Sequence, residues 1–202
     1  MAKYTDFRGG LRSVIAPLGA SNHTEGERAE LDFYSTAPSS VEALLNTLQK
    51  YNISVGTVLE PAVGMGHIAD ILKAHNINVT GGDLVDRGYP ETQVVDFFDV
   101  ENIEEDDIIT NPPYSFAAEF VEHSMELLKD DRYCMMLLKI QFLEGQKRKK
   151  LFEKYPPKYV WVFSERQKCL KNGKDVGGSS AVCYCWFIWQ KGFQGKPMID
   201  WI

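Results

Sequence analysis

No stretch of the 202-residue chain is apolar over the roughly 18 residues that a membrane-spanning helix needs. The first ten residues, Met1 to Gly10, contain no apolar signal core. A soluble cytoplasmic protein without a membrane partner is the expectation. Cysteine is scarce as well: four residues in a chain this long exclude the disulfide framework of a small secreted domain. None of them forms a Cys-x-x-Cys pair, so no metal site is expected, and Cys183 and Cys185 read as buried, reduced thiols. Excess positive charge is also missing, since the net charge is −6. That deficit is uneven. Arg132 to Lys174 holds twelve Lys/Arg against three Asp/Glu, a local charge of +9, and the rest of the chain carries −15. A basic segment on an acidic body suits a surface that faces phosphates. A solvated lysine-rich helix and loop would have the same composition.

What is present is enough apolar residue, 44%, for one packed core. Residues 1–30, with Gly9-Gly10, Gly19, Ser21 and Asn22, show little periodicity and are expected to form a flexible N-terminal segment. Residues 31–202 read as a single domain. Ser39 or Ser40 is placed to cap a helix from Val41 to about Lys50. Short apolar strands are expected at Thr57 to Leu59, Ile77 to Thr80, Gln93 to Val95, Ile108 to Thr110 and Tyr133 to Ile140. Helices are expected at His67 to His75, Phe116 to Lys129 and Glu144 to Tyr155. This alternation implies an α/β fold, with a mostly parallel sheet and helices on both faces. Tyr159 to Phe163 and Val182 to Trp189 lack a helix between them, which predicts an antiparallel pair at one edge. Their Trp161, Trp186, Phe187 and Trp189 read as core. His67 and His123 receive no role.

The segment Leu59-Glu60-Pro61-Ala62-Val63-Gly64-Met65-Gly66 follows the first of these strands and opens a helix. Glycines there let the backbone turn sharply and approach a ligand. Glu60 precedes them, Asp83 ends the next strand and Asp96 the third. Acidic residues ending three successive strands share one crevice at the carboxyl edge of such a sheet. There Asp83 can accept hydrogen bonds from ribose hydroxyls, and Asp96 from an adenine amine with Phe97 beside the ring. Helix capping is the bland alternative for either aspartate. The dinucleotide pattern Gly-x-Gly-x-x-Gly is broken by Ala69, which suits a cofactor without a pyrophosphate.

Ile108-Ile109-Thr110-Asn111-Pro112-Pro113-Tyr114 is the most specific motif. A strand runs into two prolines, which fix φ and remove two amide donors. The stiff loop presents the Asn111 side-chain oxygen, the Pro112 carbonyl and the Tyr114 ring. Two acceptors gripping the hydrogens of an exocyclic amine localise its lone pair toward an electrophile, so positioning and electrostatics supply the catalysis.

At these residues the chain resembles the amino-methyltransferase branch of class I S-adenosylmethionine-dependent enzymes, over roughly residues 30–202. Asn111-Pro112-Pro113-Tyr114 looks like the adenine-N6 form of the catalytic motif, and Glu60 to Gly66 looks like the cofactor loop. Asp32-Phe33-Tyr34-Ser35-Thr36-Ala37-Pro38 is similar to the segment that contacts the methionine part of the cofactor. Placed ahead of the loop, it makes the order that of gamma-like adenine methyltransferases. The resemblance implies a Rossmann-like fold and S-adenosylmethionine as cofactor. It implies cofactor contacts from Tyr34, Thr36, Glu60, Pro61, Gly64, Gly66, Asp83, Asp96, Phe97 and Asn111, and catalysis by Asn111, Pro112, Pro113 and Tyr114. DNA is then the expected partner, met by Lys147, Arg148, Lys149, Lys150, Lys168, Lys171 and Lys174. Ala181 to Trp189, with Lys191-Gly192-Phe193 and Trp201-Ile202, looks like the tail of small phage and prophage methyltransferases. Restriction-type members carry a separate target-recognition domain, whereas only Ser164 to Ser180 is available here. RNA adenine, a protein glutamine amide as in release-factor modifying enzymes, and a non-catalytic cofactor- or nucleic-acid-binding module are the alternatives. The release-factor enzymes carry a folded helical domain ahead of the loop, where this chain has about sixty residues.

Overall fold

A computed structural model describes residues 34–167, 170–171 and 182–202; the expected flexible segment, residues 1–30, lies outside the described residues. β1 (Tyr34–Ser35) leads into α1 (Pro38–Lys50). Pro38 sits in the first turn, where its missing N–H is no loss and its fixed φ suits the helix. The helix therefore starts ahead of Ser39 and Ser40, and neither caps it. The N-cap is Ala37, without a side-chain cap. Ser40 is buried instead, and its hydroxyl donates to Gln167 Oε1 at 2.9 Å.

The chain continues through β2 (Val58–Glu60), α2 (His67–Ala74), β3 (Val79–Asp83), β4 (Gln93–Val94), β5 (Asp107–Thr110) and α3 (Ala117–Leu127). Then come β6 (Tyr133–Lys139), α4 (Gln146–Lys154), β7 (Tyr159–Val162), β8 (Leu170–Lys171), β9 (Tyr184–Gln190) and β10 (Met198–Trp201). Eight strands form one sheet in the order β10-β7-β9-β6-β5-β2-β3-β4, and β1 and β8 pair separately, antiparallel. β9 runs antiparallel between β6 and β7, and the other pairs of the large sheet are parallel. The expected β7–β9 pair forms, but neither strand is the edge. After β9 the chain turns back through Gly192, at φ 87°, and β10 adds parallel to β7 with Met198 opposite Tyr159.

Burial explains why the central strands read as continuous apolar runs. Along β6, Cys134, Met136 and Leu138 face a core closed by Phe120, Val121 and Met125 of α3 and Leu151 of α4. Met135 and Leu137 face the opposite core, closed by Val41, Leu44 and Leu48 of α1 and Ile68 and Leu72 of α2. Trp161, Trp186, Phe187 and Trp189 are fully buried in these two cores. Burial also pushes the Cys134 and Cys185 thiols up to about 12, so both stay protonated.

At the amino ends of the strands two carboxylates are fully engaged. Asp107, wholly buried, accepts the amides of Gly56 and Tyr133, each at 2.8 Å. Asp106 accepts the Thr57 amide at 3.0 Å and pairs with Arg132 at 2.7 Å. The carboxyl ends are different. The chain winds from β2 outward through β3 to β4, then returns to β5 on the other side of β2. That reversal falls between β2 and β5, and open α/β sheets bind ligands beyond the carboxyl ends of their strands at such a point.

Candidate active site at the carboxyl ends of the parallel strands

Glu60 is the last residue of β2, and the loop after it is held by its own backbone. The Val63 amide donates to Gly82 O and the Gly66 amide to Val63 O, each at 2.8 Å. Gly64 and Gly66 have φ of +57° and +83°, in the left-handed region that glycine adopts without strain. At Gly66 a side chain is excluded twice, since a Cβ would lie 2.0 Å from the Tyr89 ring. The close approach at Gly66 is thus made by Tyr89 of the protein itself.

Three acidic residues stand around this loop. Glu60 is 2% exposed and accepts from the Ala69 amide in the first turn of α2. Its Oε2 has no hydrogen-bond partner among the described residues. Burial, with Asp83 and Asp70 nearby, pushes its carboxyl well above the ordinary value of 4.5. Asp83, the last residue of β3, accepts the Gly64 amide on Oδ2 at 2.8 Å and the Val85 amide on Oδ1 at 3.0 Å. Asp96 stands two residues beyond β4, and its Oδ1 accepts the Phe98 amide at 3.0 Å, capping a short 3-10 turn. Asp96 thus caps a helical turn, as the capping alternative requires, whereas Asp83 caps none and braces the glycine loop, and each carboxylate retains lone pairs for a ligand.

Phe97 is buried, packed on Phe120 and His123 at centroid distances of 4.9 and 4.8 Å. It also lines a cavity of about 250 Å³ together with Leu59, Pro61, Gly82 and Val95. A larger depression of about 380 Å³ is lined by Leu48, Asn52, Ile53 and Ile77, in segments leading into β2 and β3. Its lining holds no titratable group, so it is a poor candidate for chemistry.

Asn111 directly follows β5, next in the sheet to β2. Its Nδ2 donates to Thr36 Oγ1 at 3.1 Å, and Thr36 is itself buried. This bond spans 75 positions and ties the segment before α1 to the Pro-Pro loop. It holds the Asn111 amide against the segment that leads into α1. Pro112 is buried, and Tyr114 begins a 3-10 turn that leads into α3. The Tyr114 ring lies 6.1 Å from Tyr184 and carries the Lys139 ammonium 4.6 Å from its centroid.

No protein-family model matches this sequence, and no curated protein matches it either. Solved structures do match. A Pyrococcus horikoshii protein assigned as an RNA methyltransferase superposes with a TM-score of 0.61 at 12% identity, over 84% of this chain and 92% of that one. A Listeria monocytogenes protein assigned to the class I S-adenosylmethionine-dependent methyltransferases gives 0.60 at 13%, over 89% and 68%. The type IIG restriction endonuclease BpuSI gives 0.58 at 14%, over 78% of this chain and 25% of its own. The fold is that of a class I methyltransferase. Within it, Glu60, Asp83, Asp96 and Asn111 all lie at the carboxyl ends of β2 to β5, in one row along the sheet.

The basic residues are arranged less simply. Lys147, Lys149 and Lys150 are exposed on α4, whereas Arg148 lies over the Phe142 ring at 5.4 Å and donates to the Glu144 carbonyl. Lys149 pairs with Glu153 at 3.7 Å. Successive helical residues point about 100° apart, so no flat surface presents all four. The backbone of Lys171 pairs with that of Tyr34 across β8 and β1. Lys168 and Lys174 lie outside the described residues, and so do the side chains of Tyr34 and Lys171. Lys139 is a residue that sequence pattern does not single out. Its signal is faint: a lone lysine closing the apolar run of β6.

Proposed function

We propose that this protein is an S-adenosylmethionine-dependent methyltransferase that methylates N6 of adenine in DNA. The observation that carries the proposal is the Asn111 amide, held against Thr36 at the end of β5, the strand beside the one that leads into the glycine loop. An exocyclic amine is a poor nucleophile because its lone pair is delocalised into the ring. Asn111 Oδ1 and the Pro112 carbonyl accept its two hydrogens, which turns the lone pair out of conjugation. Tyr114 provides the aromatic face on which the base stacks. These groups act by position and fixed dipoles, so no strong base is required.

The residues at the strand ends fit the cofactor. Glu60 has a buried oxygen without a partner, and Asp83 and Asp96 retain acceptor capacity, which suits a ligand rich in donors and positive charge. When bound, the cofactor supplies a methyl group on an electrophilic sulfonium. Asp83 would hold its ribose, Asp96 its adenine amine, and the Thr36 segment its methionine part. The exposed lysines of α4 give DNA as the partner a physical basis. Likeness to BpuSI adds weight to DNA, and likeness to the archaeal protein keeps RNA as the competing polyanion.

Radiolabelled methyl transfer to DNA, RNA and total protein, assayed side by side, tests the reading. The expected product is N6-methyladenine in digested DNA, identified by mass spectrometry. Label confined to RNA or to protein glutamine would overturn the target, and no label in any pool would overturn the activity.

A further inference from the structure

We propose that Lys139 is a clamp with two positions, which guards the Tyr114 face in the empty enzyme and grips the DNA backbone once a base stacks there. The inference rests on the reading of Tyr114 as the base-stacking residue. Lys139 ends β6, the neighbour of β5. The register pairs Thr110 with Met136, so β6 runs three residues further and carries Lys139 out over the Pro-Pro loop. There its ammonium stands 4.6 Å from the Tyr114 centroid. No ion pair or hydrogen bond to its side chain occurs among the described residues, although the side chain is half-buried. Among the described residues the Tyr114 ring is thus the partner its ammonium has besides water.

That ring face is the one a flipped base needs. Stacking of a nucleobase on tyrosine is stronger than a cation–π contact at a partly exposed site, so an arriving base displaces the ammonium. The lysine stem is flexible and its head is a strongly hydrated point charge. Every nucleotide that delivers a base also delivers a phosphodiester, and this is the acceptor the released ammonium lacks in the empty enzyme. Base entry and backbone grip are thereby coupled through one side chain. Lys139 is a positioning residue, since it touches neither the amine nor the methyl group.

The experiment follows binding of a fluorescent 12-nucleotide deoxyadenylate strand by anisotropy over a salt series, in S-adenosylhomocysteine. The slope of log affinity against log salt should be smaller by about 0.7 for Lys139→Gln, the value for one phosphate on a single strand. Lys139→Arg should keep the wild-type slope. An abasic strand of the same length should give wild type and Lys139→Gln equal slopes, because no base displaces the ammonium. Equal slopes on deoxyadenylate, or a difference that persists on the abasic strand, would overturn the clamp. Methyl transfer by the wild type to plasmid DNA is measured alongside. Its absence overturns the DNA reading and the clamp with it, whereas activity with equal slopes overturns the clamp alone.

Discussion

The two ends of the same sheet treat their carboxylates in opposite ways. At the amino ends, Asp106 and Asp107 spend their oxygens on the amides of Gly56, Thr57 and Tyr133 and on the Arg132 guanidinium. At the carboxyl ends, Glu60, Asp83 and Asp96 enter no ion pair among the described residues, and Glu60 keeps one oxygen unpartnered. Buried polar groups are normally satisfied. An end with complete pairing holds the fold together. An end with acceptors in surplus is built for something that brings donors and positive charge. The left-handed turns at Gly64 and Gly66 stand at that end too.

The largest effect tests the site end. Asn111→Ala removes the acceptor for the amine and leaves the acidic strand ends intact. Methyl transfer should fall about 10²- to 10³-fold, as when one preorganised polar group is lost from a transition state. Calorimetric affinity for S-adenosylmethionine should change little. A variant with normal turnover would remove Asn111 from catalysis.

The next largest tests the paired end. Asp107→Ala leaves the Gly56 and Tyr133 amides without their acceptor in a dry site and should cost roughly 2–4 kcal/mol in urea unfolding. Cofactor affinity of the folded fraction should stay as in the wild type. A loss below about 1 kcal/mol would mean that this network does not hold the strands, and the contrast between the two ends would fail.

Asp83→Ala separates the two roles within one residue. Its bonds to Gly64 and Val85 shape the loop, and its remaining lone pairs are assigned to ribose. Loss of a charged hydrogen-bond partner typically costs about 1.5–3 kcal/mol, so cofactor affinity should drop ten- to a hundredfold. Asp83→Asn keeps an acceptor and should recover part of it. Unchanged affinity in Asp83→Ala would reduce Asp83 to a loop brace.

Much of this contrast is legible in sequence, and the gaps have physical causes. Proline and glycine announce themselves because they restrict or release the backbone, so the Gly64-Met65-Gly66 and Asn111-Pro112-Pro113 turns can be read without coordinates. β6 is legible because a strand buried on both faces must be apolar throughout. β10 is not: Met198, Ile199 and Trp201 are exposed, so no buried face imposes a pattern on it. The start of α1 is misread because two serines look like caps while Pro38 sets the first turn. The Asn111–Thr36 bond and the Lys139–Tyr114 contact join residues far apart in the chain, and no local spacing encodes them. Asp106 and Asp107 look in sequence like any other acidic pair. Only the arrival of Arg132 and three amides distinguishes them from the strand-end acids.

The smallest effect is a matter of pH, and it bears on why Glu60 is tolerated. Burial and the neighbouring aspartates hold its folded carboxyl well above the ordinary value of 4.5. Between the unfolded and folded values the folded protein therefore binds more protons than the unfolded chain. Stability contributed by the protonated carboxyl is fully present below about 4.5 and is lost as pH rises through the folded value. Glu60→Gln is neutral at every pH and escapes that loss. Its thermal midpoint, without cofactor, should exceed that of the wild type near pH 8, and the gap should shrink as pH falls toward 4. Binding of a cationic cofactor next to Glu60 favours the ionised carboxylate, so the wild type should release a proton as it binds. Calorimetry in buffers of different ionisation enthalpy reads that proton directly, and Glu60→Gln should show none. If instead the midpoints of the two proteins run parallel from pH 4 to 8, the carboxyl is ionised or compensated in the empty protein. The strand ends would then not be waiting for a cation.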